Sequence, residues 1–220
     1  MNRRFALLAL PALALLLAAA PPKRRPAPPA PVPMADVERV TISTEAGAIV
    51  LELDGKRAPA TVRNFLRYTD QRRFDGIVFY RAMRLPWGDP PSGLIQAGTQ
   101  NDPRRLLPPI AHEPTSQTGI LHKAGTISMA RWAPGTATGD FTIMLSDMEG
   151  LDADPAAADP ERQAGYAAFG RVVEGMDVVR RIFDAPLSPA KGEGALKGQL
   201  LEAPVRVISV RRTPAAPPAP

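Results

Sequence analysis

The chain has 220 residues, of which 26 are proline and none cysteine, and a formal net charge of +5 from 27 basic and 22 acidic residues. No Asp or Glu precedes Asp36, whereas five basic residues (Arg3, Arg4, Lys23, Arg24 and Arg25) do, so the remainder balances 22 basic against 22 acidic residues. That neutrality excludes a nucleic-acid face, and the lack of cysteine excludes disulfides, thiol chemistry and acylation on cysteine.

Met1-Asn2-Arg3-Arg4 is a basic start, and residues 5–20 are an uncharged apolar run ending in three alanines. Charged start, short apolar stretch and small residues are the pattern of a secretory signal, expected here over residues 1–20. A membrane span needs about 20 apolar residues, and this run is shorter and carries Pro11. A retained anchor is the alternative, because Pro21 is a poor neighbour for a cleavage point. Residues 21–35 are rich in proline and alanine, which favours a stiff, solvated polyproline spacer; residues 214–220 have the same character. Residues 36–213 then make one domain of ordinary size, without internal repeats.

Within that domain residues 37–44 alternate apolar and polar from Val40, and residues 47–53 follow, so Glu45-Ala46-Gly47 turns a hairpin. Asp54-Gly55 ends the second strand. Residues 59–68 space Val62, Phe65 and Leu66 as a helix does, with Pro59 where a first-turn proline is tolerated. Short strands are expected at 77–81, 94–98, 125–130, 141–145 and 167–173, and a second amphipathic helix at 176–183 after Gly175. A last strand covers 205–210, where Val205 and Val207 flank Arg206 before the alternation slips at Ile208. This pattern allows a barrel or a sandwich and does not choose between them.

The two histidines, His112 and His122, lack the partners and spacing of a zinc site. The acidic run 147–154 lacks the glycine and terminal glutamate placement of a calcium loop and reads as a solvated insertion.

Three segments carry more: Phe79-Tyr80-Arg81; Gly93-Leu94-Ile95-Gln96-Ala97-Gly98; and Gly125-Thr126-Ile127-Ser128-Met129-Ala130-Arg131. They resemble the cyclophilin-type peptidyl-prolyl cis-trans isomerases, and the likeness runs from about Val37 to Arg211. The resemblance implies a mainly β fold, a closed eight-stranded antiparallel β-barrel capped by two α-helices. It implies rotation of X-Pro bonds in unfolded or partly folded proline-containing proteins, with no cofactor and no metal. A monomer in the periplasm is expected, touching the inner membrane only through residues 1–20 if they are kept.

Residue by residue, the resemblance makes Arg81 the catalytic guanidinium, and Gln96 the group that positions it or holds the substrate backbone. Tyr80 stands where histidine is common and would shape the groove, with Leu94 beside it. Ala130 and Arg131 match the loop that binds the peptide backbone, and Asp140 lies in the next loop, before Phe141. Thr142 occupies the place of a pocket phenylalanine. Leu151 follows Gly150, which replaces a tryptophan. The stretch from Arg81 to Gln96 is about twice the usual length and holds Trp87; Gly93 falls where a pocket phenylalanine is usual, and Tyr166 or a neighbour where a histidine is. Trp87 or Trp132 could refill the depleted aromatic pocket.

The chemistry suits these residues. Peptide resonance imposes a rotation barrier of about 18–20 kcal/mol, and for X-Pro the cis and trans states lie close, so rate is the obstacle. Twisting the bond localises a lone pair on the prolyl nitrogen. A guanidinium donating to that nitrogen stabilises the twisted state alone, which lowers the barrier. If the thinned pocket grips proline poorly, the alternative is a barrel that binds proline-containing segments with little catalysis.

Overall fold

A computed structural model of the chain describes residues 34–88 and 91–213. The expected signal segment, most of the linker and the tail lie outside these residues. Among the described residues no helix is long and apolar enough to cross a membrane.

The eight strands are β1 (Val37–Thr44), β2 (Gly47–Asp54), β3 (Val78–Arg84), β4 (Gly93–Gly98), β5 (Thr126–Met129), β6 (Phe141–Met144), β7 (Ala167–Glu174) and β8 (Leu200–Thr213). They close a barrel in the order β1-β2-β7-β5-β6-β4-β3-β8, every neighbouring pair antiparallel. Closure leaves no strand edge unpaired, and the barrel replaces the open choice between barrel and sandwich. In β1 and β2 buried and half-buried residues alternate, so one face of each strand fills the interior.

Two helices stop the ends. Helix α1 (Pro59–Asp70) follows β2, and its Phe65 meets Phe74, Phe141 and Phe169 at ring-centroid distances of 4.9, 5.4 and 5.5 Å. Helix α4 (Met176–Asp184) buries Val178, Val179, Ile182 and Phe183 toward the end where the β1–β2 and β3–β4 hairpins turn. Two further helices of one turn, α2 (Thr115–Thr118) and α3 (Pro160–Ala164), add to the two expected. No residue at the start of α1 caps it; the carboxylate of Glu113 does, accepting from the Ala60 and Thr61 backbone N–H groups at 3.0 and 2.8 Å and from the Thr61 hydroxyl at 2.7 Å.

The slip of alternation at Ile208 is a β-bulge. Ser209 pairs with Ser43 and Val207 with Thr44, so Ile208 is the extra residue and its side chain is exposed. A second bulge matters more for function: Phe79 pairs with Ala97 and Arg81 with Gln96, so Tyr80 is the extra residue.

Candidate active site

In a regular strand Arg81, two residues after the core side chain Phe79, would point into the barrel. The Tyr80 bulge shifts it by one and turns it outward, beside its partner Gln96. The same outer face continues through Thr142 of β6, paired with Gln96, and Ser128 of β5, paired with Thr142. The intervening residues Ala97, Phe141 and Met129 belong to the core.

The Arg81 guanidinium is held by amides. Its Nη1 donates to Gln96 Oε1 at 2.8 Å, and its Nε and Nη2 donate to Gln199 Oε1 at 2.8 and 2.7 Å. A guanidinium has five N–H groups, so two lack a hydrogen-bond partner among the described residues. No carboxylate neutralises it there. Burial lowers its pKa from the usual value, and an arginine stays charged through such a shift.

Next to this row lies a second apolar cluster, separate from the barrel interior. Leu94, Met144 and Met148 are buried in it, with Met83, Leu85 and Leu151 packed against them. Met83, Leu94 and Met144 each stand two residues from Arg81, Gln96 or Thr142, hence on the same face. The apolar surface beside the cation is therefore built of methionine and leucine. Methionine adapts to irregular apolar shapes, so loss of the aromatics does not leave the face polar.

The aromatic positions themselves are closed or altered. A Cβ on Gly93 would lie 1.9 Å from the Met83 carbonyl oxygen, so that strand pairing admits no side chain. At Gly150 the backbone oxygen accepts from Arg162 at 2.9 Å. Thr142 turns its hydroxyl to the Ser128 carbonyl at 3.3 Å. Neither tryptophan is buried in place of the missing aromatics: Trp87 is 63% and Trp132 80% exposed.

The structure gives the remaining candidates distinct surroundings. Asp140 is engaged internally, its carboxylate accepting from the Tyr80 hydroxyl at 3.2 Å, Thr99 Oγ1 at 3.3 Å and the Gln100 backbone at 2.9 Å. Gly98 is obligatory beneath it, since a Cβ there would meet Asp140 Oδ1 at 1.9 Å. Burial raises the Asp140 pKa against these hydrogen bonds, and burial together with Asp140 raises that of Tyr80. The Ala130 backbone N–H donates to the Asp140 carbonyl at 2.9 Å. The Arg131 side chain is 1% exposed, donating to Glu161 at 2.9 Å and the Gly165 carbonyl at 2.6 Å, with its guanidinium 4.5 Å from the ring centroid of Tyr166, which also acts on the charge of Arg81.

The acidic run 147–154 is only partly the solvated insertion expected of it. Asp147 pairs with Lys123 at the surface, but Asp152 accepts from the buried His122 ring at 2.7 Å. Sequence reasoning also missed Gln199 and the methionines. Nothing marks Gln199 in the sequence, 118 residues from Arg81, whereas period-two spacing from Arg81, Gln96 and Thr142 was signal enough for Met83 and Met144.

Comparison with known proteins gives one answer. Residues 39–210 match the family model described as cyclophilin type peptidyl-prolyl cis-trans isomerase/CLD. A peptidyl-prolyl cis-trans isomerase of Acinetobacter baylyi is 32% identical over 176 residues, covering 78% of this chain and 84% of that protein. Peptidyl-prolyl cis-trans isomerase B of Escherichia coli is 33% identical over 147 residues, covering 65% and 82%. A crystal structure of a Cryptosporidium parvum cyclophilin-type isomerase in the presence of the dipeptide Ala-Pro shares the fold, with TM-score 0.62, 17% identity, 81% of this chain covered and 100% of that one.

Proposed function

The chain belongs to the cyclophilin-type peptidyl-prolyl cis-trans isomerase family, and from that premise we propose that Arg81 is the residue that lowers its barrier to X-Pro rotation. The protein is a peptidyl-prolyl cis-trans isomerase and binds proline-containing peptide. The reaction makes and breaks no covalent bond, so it needs a grip on the prolyl ring and a donor for the nitrogen that becomes basic as the amide twists. In the planar amide that nitrogen's lone pair is delocalised and accepts poorly. A guanidinium N–H held there interacts with the twisted state selectively.

The observation that carries this reading is the state of Arg81: a half-buried cation fixed by Gln96 and Gln199, not paired with a carboxylate, with two N–H groups unassigned. The Met83, Leu94, Met144 and Leu151 hollow beside it supplies the apolar seat for the ring. Tyr80 and Asp140 act from behind, holding the bulge that turns Arg81 outward. Removing one preorganised donor of this kind costs about 2.7–4 kcal/mol, a factor of 10²–10³ in kcat. Arg81→Ala, measured by exchange NMR on an Ala-Pro peptide, is expected to lose activity by that factor and keep peptide binding. Binding without turnover in the wild type would instead favour the barrel as a holder of proline-containing segments.

The clients we propose are unfolded or partly folded exported proteins, met as a monomer outside the cytoplasm. Support comes from the basic start and apolar run of residues 1–20, and a chain without cysteine has no thiol for oxidising surroundings to alter. Amino-terminal sequencing of protein recovered from the periplasm tests this: a start near residue 21 is expected, and an uncleaved, membrane-bound form would point to the anchor.

A further inference from the structure

His122 is fully buried on the face that carries Arg81, and the reaction as derived has no use for it. Its Nδ1 lies 2.7 Å from Asp152 Oδ1, which also accepts the His122 backbone N–H at 3.0 Å, and its Nε2 lies 2.8 Å from Ser128 Oγ. An ionised carboxylate only accepts, so Nδ1 carries the proton and Nε2 receives the serine hydroxyl. Burial lowers the pKa of the ring against the pull of Asp152, which favours the neutral form.

Serine, histidine and aspartate in this order have the polarity of an acyl-transfer relay. Burial rules that use out. Ser128 is 1% exposed and hydrogen-bond-paired between β6 and β7, and a substrate carbonyl would need to come within about 3–3.5 Å of its hydroxyl.

What the three residues join is more telling. Ser128 ends the outer row that runs Arg81, Gln96, Thr142, Ser128. Asp152 follows Leu151, which packs against the methionine cluster, and none of the residues of the 3-10 turn Glu149–Leu151 is fully buried. Leu151 is held by packing against the cluster and by the Tyr166 N–H on its carbonyl at 2.9 Å, Gly150 by Arg162 at 2.9 Å, and Asp152, next in the chain, by His122. The His122 carbonyl adds a further tie, accepting from the Met148 backbone at 2.8 Å, and Met148 lines the same hollow.

We propose that His122 is a positioning residue for the isomerisation, a neutral brace that fixes the Leu151 wall of the prolyl seat relative to the strand face presenting Arg81. A loosened wall lets the ring turn with the acyl group, so the bond twists less often for each binding event. The idea rests on the Arg81 reading.

The test uses the full chain, with kcat and KM taken from exchange NMR on an Ala-Pro peptide and folding followed by thermal unfolding. His122→Phe and Asp152→Ala should each lower kcat about tenfold, about 1.4 kcal/mol of barrier, with KM moving less than about threefold. Asp152→Ala stays informative should the core substitution unfold, because its site is a surface turn. The double variant should be no slower than Asp152→Ala alone, since both break one brace. Asp152→Asn keeps an acceptor and should retain most of the wild-type kcat. Unchanged kcat in both single variants, additive losses in the double, or labelling of Ser128 by a fluorophosphonate would each overturn the proposal. Arg81→Ala in the same assay separates the two ideas. Surviving activity there removes the catalytic reading beneath the brace. Activity lost there, with His122 and Asp152 variants unaffected, removes the brace alone.

Discussion

Gln199 accepts two hydrogen bonds from Arg81 through one oxygen, from Nε at 2.8 Å and Nη2 at 2.7 Å. Its own carbonyl oxygen accepts the Ala82 backbone N–H at 3.0 Å, which ties it to the strand that carries the arginine. With Gln96 on the other side, the planar fork cannot rotate without breaking at least one bond. Rigidity of this kind means the donors are aimed before substrate arrives.

Gln199→Ala should therefore lower kcat about tenfold with little change in KM, because charge and hollow remain and only the aim is lost. Gln199→Glu should also slow turnover, for a different reason: a carboxylate would pair with the cation and weaken its donation to the prolyl nitrogen. Steady-state kinetics of both variants, with peptide affinity by titration, check the pair. Full activity in Gln199→Glu would mean the unneutralised charge of Arg81 is irrelevant.

Arg81→Lys should restore little of what Arg81→Ala removes. Lysine keeps the charge but not the fork, so it cannot satisfy Gln96 and Gln199 and still present a fixed donor. A kcat/KM within about tenfold of the alanine variant is expected. Near-wild-type kinetics would show that charge alone suffices.

Glu113→Ala should destabilise the domain without touching chemistry. The substitution strips the α1 amino terminus of its acceptor for Ala60 and Thr61, and charge-assisted hydrogen bonds of this kind contribute about 1.5–3 kcal/mol. For a chain of this size each kcal/mol shifts Tm by about 2–4 °C. Differential scanning calorimetry should show the drop while kcat at 25 °C stays at the wild-type value.

The part of the stability that depends on His122 should fall on mild acidification. Burial lowers its folded pKa below the ordinary 6.5, so the unfolded chain takes up the proton first as pH falls. The contribution is whole above the unfolded value, declines as pH drops from there toward the folded value, and is gone below it. Asp75, held low by its hydrogen bonds from Arg211, acts only below its ordinary 3.8. Denaturant unfolding of wild type and His122→Phe at pH 7.5 and 5 should give a gap that narrows at the lower pH; a constant gap would contradict the buried neutral imidazole.

β1, β2 and both long helices were legible because each is set by local periodicity: alternation in β1 and β2, helical spacing of Val62, Phe65 and Leu66, and apolar Val178, Val179, Ile182 and Phe183 in α4, whereas β8 starts at Leu200, ahead of the expected 205. Even the bulge at Ile208 left a trace as a broken alternation. The short helices α2 and α3 left none, since one turn is too brief to show a period.

From its order of residues alone this chain determined the β-rich body, its neutral charge and the arginine on Phe79-Tyr80-Arg81, since pattern and composition are properties of neighbours along the chain. Only the folded state decided that Tyr80 bulges so that Arg81 faces outward and that Gln199 clasps it from 118 residues away. It also bound Asp152 to a buried histidine. Those are pairings across the barrel, fixed by strand register and closure, and no local signal encodes them.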